Sequence, residues 1–330
     1  MSSNYHCLLR KGLALAMLSG AALLGLNAHA QTYPSKPIQL VVPFAAGGAA
    51  DALGRMWGEF VGKSMGTTVV IDNRAGANGS IGAIQASRQP ADGYTVFYGG
   101  ISTLTFNKFS YKKLGYDPDK DFEPVTLLAN VPLLIQAAPA SGIKTLPELI
   151  AKAKAKPGEV RYGSAGKGNS THLFVALTAE HFGLDLLHVP YKGMAPATID
   201  LLGGQLDFVA DVASSTVGNV QMKKVNPVVL FGAKRAAAFP DVPTIAEAGF
   251  KDFPVSGWYG LVVPAGTPKA IVDRLDAETR KFWADPSVKA KLDTMMVEPM
   301  PAGPGALKAA MAEATRVWGP LITKLQIQND

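Results

Sequence analysis

The stretch IQLVVPFAAGG, residues 38–48, decides the fold class. Its first half is apolar and β-branched, which predicts a buried strand. The helix that follows is indicated by apolar residues at the spacing of one helix face, namely Leu53, Met56, Trp57, Phe60 and Val61. The stretch therefore predicts a strand, a glycine-containing loop and a helix in succession.

The same unit recurs along the chain. Strands are predicted at 69–71, 95–98 and 160–163, and glycine-containing loops at 76–82 and 164–171 each open a helix. This alternation favours open, mainly parallel α/β sheets.

Further elements complete the secondary structure. Thr145 and Glu148 have capping-box spacing and predict a helix start. The remaining predictions are strands at 186–189, 206–210 and 228–231, helices at 195–202 and 306–325, and a mostly helical chain after residues 257–263.

The first thirty residues have the pattern of a secretory signal peptide. Arg10 and Lys11 precede an apolar run over 13–26, and Ala28 and Ala30 are the small residues that signal peptidase reads. We expect cleavage after Ala30 and a periplasmic protein that begins at Gln31. The alternative is a buried N-terminal helix.

Composition excludes several classes of protein. Of its residues, 48% are hydrophobic, which is typical of a globular protein. The length of 330 residues favours two domains over one. Cys7 is the only cysteine and lies in the predicted leader, so no disulfide or cysteine zinc site is expected. The leader also removes two basic residues from the net charge of +6, which leaves +4 without a basic, aromatic cluster for nucleic acid.

The sequence matches none of the common catalytic motifs considered for its serines and histidines. A nucleophile elbow needs glycine two residues before and two residues after the serine, but Tyr162 precedes Ser164 and His172 follows Ser170 at these positions. Residues 163–171 also lack P-loop spacing. His172, His181 and His188 lack metal-ligand spacing. We therefore expect no catalytic residue, no metal and no cofactor.

Two loops carry a signal for anion binding. In residues 44–48 and 164–171 small residues follow a strand, so that backbone N–H groups converge at a helix N-terminus, where the helix dipole favours an anion. Asp51 is read either as a ligand contact or as a first-turn helix residue. Ser164, Ser170 and Thr171 are read either as helix-capping residues or as solute-binding hydroxyls.

Motifs throughout the predicted mature chain resemble the Bug-type substrate-binding receptors of tripartite tricarboxylate transporters. They are 33–38 (YPSKPI), 43–48 (PFAAGG) with Asp51, 72–79 (DNRAGANG), 116–118 (YDP), 121–125 (DFEPV), 162–166 (YGSAG), 170–172 (STH), 189–193 (VPYKG), 195–197 (APA), 201–205 (LLGGQ), 239–244 (FPDVPT), 247–249 (EAG) and 264–268 (PAGTP).

The resemblance implies a two-lobed α/β periplasmic-binding-protein fold of the type II-like, flytrap kind, with mixed sheets and a hinge of crossing segments. The first lobe would comprise 31–130 and 254–330, and the second 131–253. It also implies capture of a small mono-, di- or aromatic carboxylic acid, delivery to membrane permease subunits, a monomeric receptor and no nucleic-acid partner.

The resemblance and the two loops together give a set of expected ligand-binding residues. They are Phe44, Ala45, Ala46, Gly47, Gly48, Asp51, Ser102, Ser164, Ala165, Gly166, Asn169, Ser170, Thr171 and Asp211. Asp211 is also open to a reading as a strand-end turn residue, His172 is read as structural before ligand-binding, and Trp258 and Tyr259 are read as hinge or core aromatics.

The chain departs from the family pattern at Leu104 and Lys108, where relatives often have His and Pro, so known ligands are not transferred. Two alternative functions stay open: a carboxylate sensor for a membrane signalling partner, and a secreted hydrolase of carboxylate esters.

Overall fold

The computed structural model describes residues 33–251, 253, 257–300 and 303–329. The predicted signal peptide and its cleavage site lie outside these residues. The chain divides into Met1–Ser35 and Lys36–Asp330, and every element named below belongs to the second unit.

Eleven strands in the described residues form two sheets. They are β1 (Ile38–Val42), β2 (Val69–Asn73), β3 (Thr95–Gly100), β4 (Phe122–Val131), β5 (Leu133–Ala137), β6 (Arg161–Ser164), β7 (Leu187–Pro190), β8 (Phe208–Val212), β9 (Asn226–Phe231), β10 (Gly257–Pro264) and β11 (Glu298–Pro299). The first sheet has the order β11-β4-β10-β3-β1-β2, and the second has the order β7-β6-β8-β5-β9.

Helices surround both sheets. They are α1 (Ala49–Met65), α2 (Ser80–Ser87), α3 (Asn107–Ser110), α4 (Leu146–Ala155), α5 (Ser170–Phe182), α6 (Met194–Leu202), α7 (Ala213–Gln221), α8 (Lys269–Ala284), α9 (Pro286–Thr294) and α10 (Gly303–Lys324). A π-helical turn, Ser102–Phe106, joins β3 to α3. Across the described residues, each helix is too short or too polar to span a bilayer.

Strand direction is mixed in both sheets. In the first, β1 is parallel to β2 and β3, whereas β10 runs antiparallel to β3 and β4. In the second, β6 is parallel to β7 and β8, whereas β5 runs antiparallel to β8 and β9. The mixed-sheet, two-lobed α/β fold is confirmed, and the mainly parallel sheets predicted from alternation alone were wrong. An apolar run predicts a strand but not its direction, and β4 passes to β5 through Pro132 with no helix between them.

Local sequence signals explain where the helices begin and pack. At the start of α4 the predicted capping box is confirmed, because Thr145 Oγ1 accepts from the Glu148 amide at 3.3 Å and the Glu148 carboxylate accepts from the Thr145 amide at 2.9 Å. The apolar face of α1 is buried through Trp57, whose indole N–H donates to Thr279 Oγ1 of α8 at 2.9 Å. Burial of one such aromatic side chain contributes about 2–3 kcal/mol.

An aromatic cluster joins α10 to both lobes. Trp318 of α10 stacks on Phe174 of α5 at 5.1 Å between ring centroids and contacts Phe106 at the same separation. Phe106 follows β3 of the first sheet, and α5 follows β6 of the second. Trp318 therefore packs against residues from both lobes and holds them together.

Candidate functional site

The carboxyl ends of parallel strands from the two sheets face one another. Asn78 follows β2, and its side-chain amide donates to the carbonyl of Lys167, which follows β6. Ser102 follows β3, and its hydroxyl accepts from the Ser170 amide at 3.2 Å. Because the ligand crevice in open α/β sheets lies outside these strand ends, the two contacts locate a cleft between the lobes.

The first loop borders this cleft with unused backbone donors. Residues 45–48 are exposed, and the amides of Ala45, Ala46 and Gly48 donate to no acceptor within the described chain. Gly48 is the N-cap of α1, a helix of 17 residues, and supplies no side-chain cap. An uncapped helix N-terminus with free amides is a favourable place for an anion.

Gly47 gives the first loop its shape. Its φ is +88°, a left-handed conformation that glycine adopts without strain, and a Cβ built there would meet no atom within 4 Å. The space in front of the loop is therefore open.

Asp51 holds the first loop in place. Its carboxylate accepts from the Gly47 amide at 2.9 Å, from Arg55 Nε at 2.9 Å and from the Asn73 side-chain amide at 3.0 Å. Desolvation opposes ionisation, but these three donors together lower the pKa of Asp51 below its usual value. The geometry shows Asp51 as a positioning residue in α1, and its contact with a ligand stays a prediction.

The second loop uses its donors within the protein. Asn169 caps α5 by accepting from the Thr171 amide at 3.1 Å, and the Thr171 hydroxyl accepts from the Ala165 amide at 2.9 Å. The Gly166 amide donates to Ser164 Oγ at 3.2 Å. The cap of α5 is therefore Asn169 and none of the three hydroxyls predicted as possible caps. Among the described residues, the Ser170 amide of this loop donates to Ser102 of the first lobe.

Sequence reasoning missed a contact between Ser164 and His188. Ser164 Oγ lies 2.6 Å from His188 Nε2, and the ring of His188 stacks on that of His172 at 3.9 Å. Burial lowers the pKa of His188 to about 4 and, with the charges of His188 and Lys167, that of His172 to about 3. Both histidines lie within 24 residues of Ser164 in sequence. No local sequence motif predicts that the two rings stack or that His188 contacts Ser164.

His172 has a further structural contact. Its Nδ1 accepts from the Gly168 amide at 3.0 Å, which ties the first turn of α5 to the second loop. The position of the ring agrees with the structural interpretation of His172.

Asp211 lies near the carboxyl end of β8 and is 7% exposed. Burial, and then the charge of Asp211, raise the pKa of Tyr259 of β10 above its usual value. The ring of Tyr259 packs against Phe44, with 5.7 Å between ring centroids. That Asp211 contacts a ligand stays a prediction.

The two family departures lie beside this region in different environments. Leu104 is completely buried, and Lys108 is drawn into an ion pair with Asp119 at 2.8 Å and a hydrogen bond to Thr315. Lys108 is thus held in contacts with Asp119 and Thr315.

Comparison of the sequence with known protein families identifies the family of this two-lobed fold. Residues 54–327 match the family described as the tripartite tricarboxylate transporter family receptor, TctC. The chain belongs to this receptor family. The family is one of solute-binding receptors rather than enzymes.

Solved structures of similar proteins have the same fold. The periplasmic binding protein BugD is 35% identical, with a TM-score of 0.84 over 90% of this chain and 100% of that one. Rpa4515 of R. palustris with adipate is 32% identical, with a TM-score of 0.84 over 88% and 97%. MatC (Rpa3494) of Rhodopseudomonas palustris with bound malate is 30% identical, with a TM-score of 0.82 over 88% and 100%.

Metal binding has no support in the described ranges, where no group of three His, Cys, Asp or Glu side chains is placed to hold an ion.

Proposed function

We propose that this TctC-family receptor captures a small carboxylic acid in the periplasm and delivers it to the permease of a tripartite tricarboxylate transporter. The observation that carries the proposal is the N-terminus of α1, where Ala45, Ala46 and Gly48 are exposed, their amides have no acceptor among the described residues, and the helix has no side-chain cap. A carboxylate is an anion that such a group of donors binds without a side-chain cation.

Similar proteins support the choice of a carboxylate. Rpa4515 has been solved with adipate and MatC with malate. Both are dicarboxylic acids, and both proteins share the fold over almost the whole chain. We take the class of ligand from them and leave the identity of the acid to experiment.

In the proposed site the two loops have different roles. Residues 44–48 supply free amides to the carboxylate, and Asp51 holds them in place. Residues 164–171 close the site from the second lobe, where the Ser170 amide donates to the Ser102 hydroxyl of the first lobe at 3.2 Å. Ala165, Gly166, Asn169 and Thr171 shape that loop through their contacts with one another.

Closure is the proposed transport signal. We place the lobe boundaries at 31–130 with 254–330 and at 131–253, so that the chain crosses between lobes near Pro132 and again before β10. A ligand that contacts both lobes stabilises the closed form, and the permease recognises the closed lobes. We propose a monomer.

A secreted hydrolase is the second candidate, because Ser164 Oγ and His188 Nε2 are within hydrogen-bonding distance. Ser164 is completely buried, its hydroxyl also contacts the Gly166 amide and carbonyl, and the lowered pKa of His188 makes it a weak base. A receptor without catalytic activity is therefore the proposal. Hydrolysis of activated esters that disappears in Ser164→Ala would contradict it.

The test uses two leucine substitutions at matched glycines. Gly47→Leu places a side chain in front of the α1 amides, where no atom lies within 4 Å of the new Cβ. Gly66→Leu is the control, because Gly66 at the other end of α1 also has a positive φ, +68°, and equal open space. Each substitution costs about 1–2 kcal/mol of stability through its left-handed backbone.

Binding is measured by calorimetry on the chain from Gln31, refolded to remove carried-over ligand, against aliphatic, aromatic, hydroxy- and amino-carboxylic acids. We expect Gly47→Leu to weaken binding at least tenfold and Gly66→Leu to retain the original affinity. Equal affinity in the two variants would refute the placement of the carboxylate at α1.

A further inference from the structure

Residues 325–329, which follow α10, form a strap between the two lobes. Leu325 and Gln326 turn the chain at the end of α10. Ile327 is 6% exposed and packs in the hydrophobic core, which anchors the strap at its middle. Asn329 then lies beside Tyr111 in a parallel β-bridge. The strap is therefore held by defined contacts on both sides of its turn.

The backbone of the strap is tied to the first lobe. The Asn329 amide donates to the Ser110 carbonyl at 2.6 Å, and the Asn329 carbonyl accepts from the Lys112 amide at 3.4 Å. Ser110 ends α3, which follows β3 of the first sheet. Both bonds use only backbone atoms of Asn329, so its side chain is available for a different contact.

The side chain of Asn329 reaches the second lobe. Its Nδ2 donates to the carbonyl of Lys167 at 3.0 Å, in the loop after β6 of the second sheet. The same carbonyl accepts from the side-chain amide of Asn78, which follows β2 of the first sheet. A carbonyl oxygen has two lone pairs. Two side chains of the first lobe thus converge on one backbone acceptor of the second.

The strap and the second loop are also packed against each other. A Cβ built on Gly168 would lie 2.8 Å from Ser110 Oγ and 3.3 Å from Asn329 Nδ2. These distances are shorter than an ordinary van der Waals contact, so the backbone at Gly168 lies directly on the strap and on the end of α3. The hydrogen bonds to Lys167 are therefore part of a close contact between the lobes.

This contact can exist only while the lobes are closed. Lys167 moves with the second sheet, whereas Asn329 is bonded to the chain that follows β3 of the first sheet. Rotation of one sheet away from the other separates the donor from its acceptor. A contact that is made in one of two conformations shifts the equilibrium toward that conformation.

We propose that the strap is a latch, in which Asn329 acts as a positioning residue that holds the second loop against the first lobe and stabilises the closed receptor. The inference rests on the proposed function, because the closed lobes are taken to retain the carboxylic acid. It assigns control of affinity to a segment outside both ligand-binding loops. Since the acid leaves when the lobes open, the latch slows its release.

The test uses Asn329→Ala, which removes the donor to Lys167 and keeps the backbone bonds to Ser110 and Lys112. Adipate, malate, benzoate and glutamate are titrated by calorimetry into the original chain from Gln31 after refolding, and the acid that binds most tightly is used for the variants. We expect Asn329→Ala to raise the dissociation constant about fivefold, which is the effect of one ordinary hydrogen bond. The change should appear mainly as faster dissociation in stopped-flow measurements.

Asn226→Ala is the matched control. The side-chain amide of Asn226 donates to the Ile143 carbonyl at 2.9 Å, and both residues belong to the range 131–253 assigned to the second lobe. This variant should lower the urea midpoint and leave the dissociation constant unchanged, because its hydrogen bond is the same in the open and closed forms. The double variant Asn78→Asp with Asn329→Ala should raise the dissociation constant more than either substitution alone.

The possible outcomes separate the latch from the function. If the acid binds Asn329→Ala with the original dissociation constant, or if Asn226→Ala weakens binding equally, the strap has only a structural role, so the latch is refuted and carboxylate capture stands. If none of the acids binds the original chain, the proposed function fails and the role of the latch in capture fails with it.

Discussion

Replacement of His172 by asparagine should reduce the pH dependence of stability. In the folded protein the pKa of His172 is lowered from 6.5 to about 3 by burial, then by the charges of His188 and Lys167. The unfolded chain therefore takes up a proton near pH 6.5 that the folded protein does not. The resulting stability is fully present above pH 6.5 and is lost as the pH falls from there toward about 3.

The magnitude follows from that difference in proton uptake. Between pH 7.5 and pH 5.5 the unfolded state gains about one proton at this site, which lowers the free energy of unfolding by about 1.4 kcal/mol. Asp211 acts in the opposite direction, because its raised pKa of about 7 makes the folded protein bind a proton in this window. Its contribution is the same in both proteins and cancels in their difference.

Asparagine is the chosen replacement because its amide oxygen stands in for Nδ1 as acceptor for the Gly168 amide. Urea unfolding at pH 7.5 and 5.5, followed by circular dichroism and tryptophan fluorescence, measures the effect. With an m value of about 3 kcal/mol per molar, the midpoint of the original protein should fall by about 0.5 M more than that of His172→Asn. Equal shifts in the two proteins would refute the buried, neutral state of His172.

Two further substitutions test the second loop and the closed cleft. Asn169→Ala removes the N-cap of α5 and should lower the free energy of unfolding, measured in urea, by about 1–2 kcal/mol. Asn169→Ser, which keeps a capping oxygen, should lose less. An unchanged urea midpoint in Asn169→Ala would contradict the role of Asn169 as the cap. Asn78→Asp keeps a residue that tolerates the local φ of +51° but removes the donor to the Lys167 carbonyl. It should raise the ligand's dissociation constant about fivefold by calorimetry, and an unchanged constant would show that this contact does not stabilise closure.

The elements predicted correctly are those with signals inside a single segment. The strand, loop and helix around residues 38–61 and the capping box at Thr145 follow from side-chain periodicity and from a side chain that reaches a backbone three residues away. Such interactions depend on nearby residues and little else, so they can be read from the chain.

The missed elements lack such signals. The strands β4 and β5 lie in an apolar run interrupted by Pro132, with no alternation to separate them, and α7 begins directly after β8 without a capping side chain. The direction of β10 relative to its neighbours follows from how the chain crosses between lobes, which no local pattern records.

The candidate site divides in the same way. The glycine loop at 44–48 was named from sequence because strand, loop and helix are continuous there, whereas the helix cap at Asn169 was not predicted. The different roles of the two loops were not predicted, since both had the same sequence pattern. Only the structure shows amides without an acceptor among the described residues in the first loop and internal partners in the second.

The sequence by itself determined the order of the strand, loop and helix units, the capping box at Thr145, and through its motifs the receptor family. The tertiary structure alone decided that Ser164 meets His188 and that Asn78 reaches Lys167. The reason is physical. Backbone geometry and periodicity act over one or two turns of chain, whereas these contacts join segments 24 to 89 residues apart, which are brought together by packing of the sheets and helices between them.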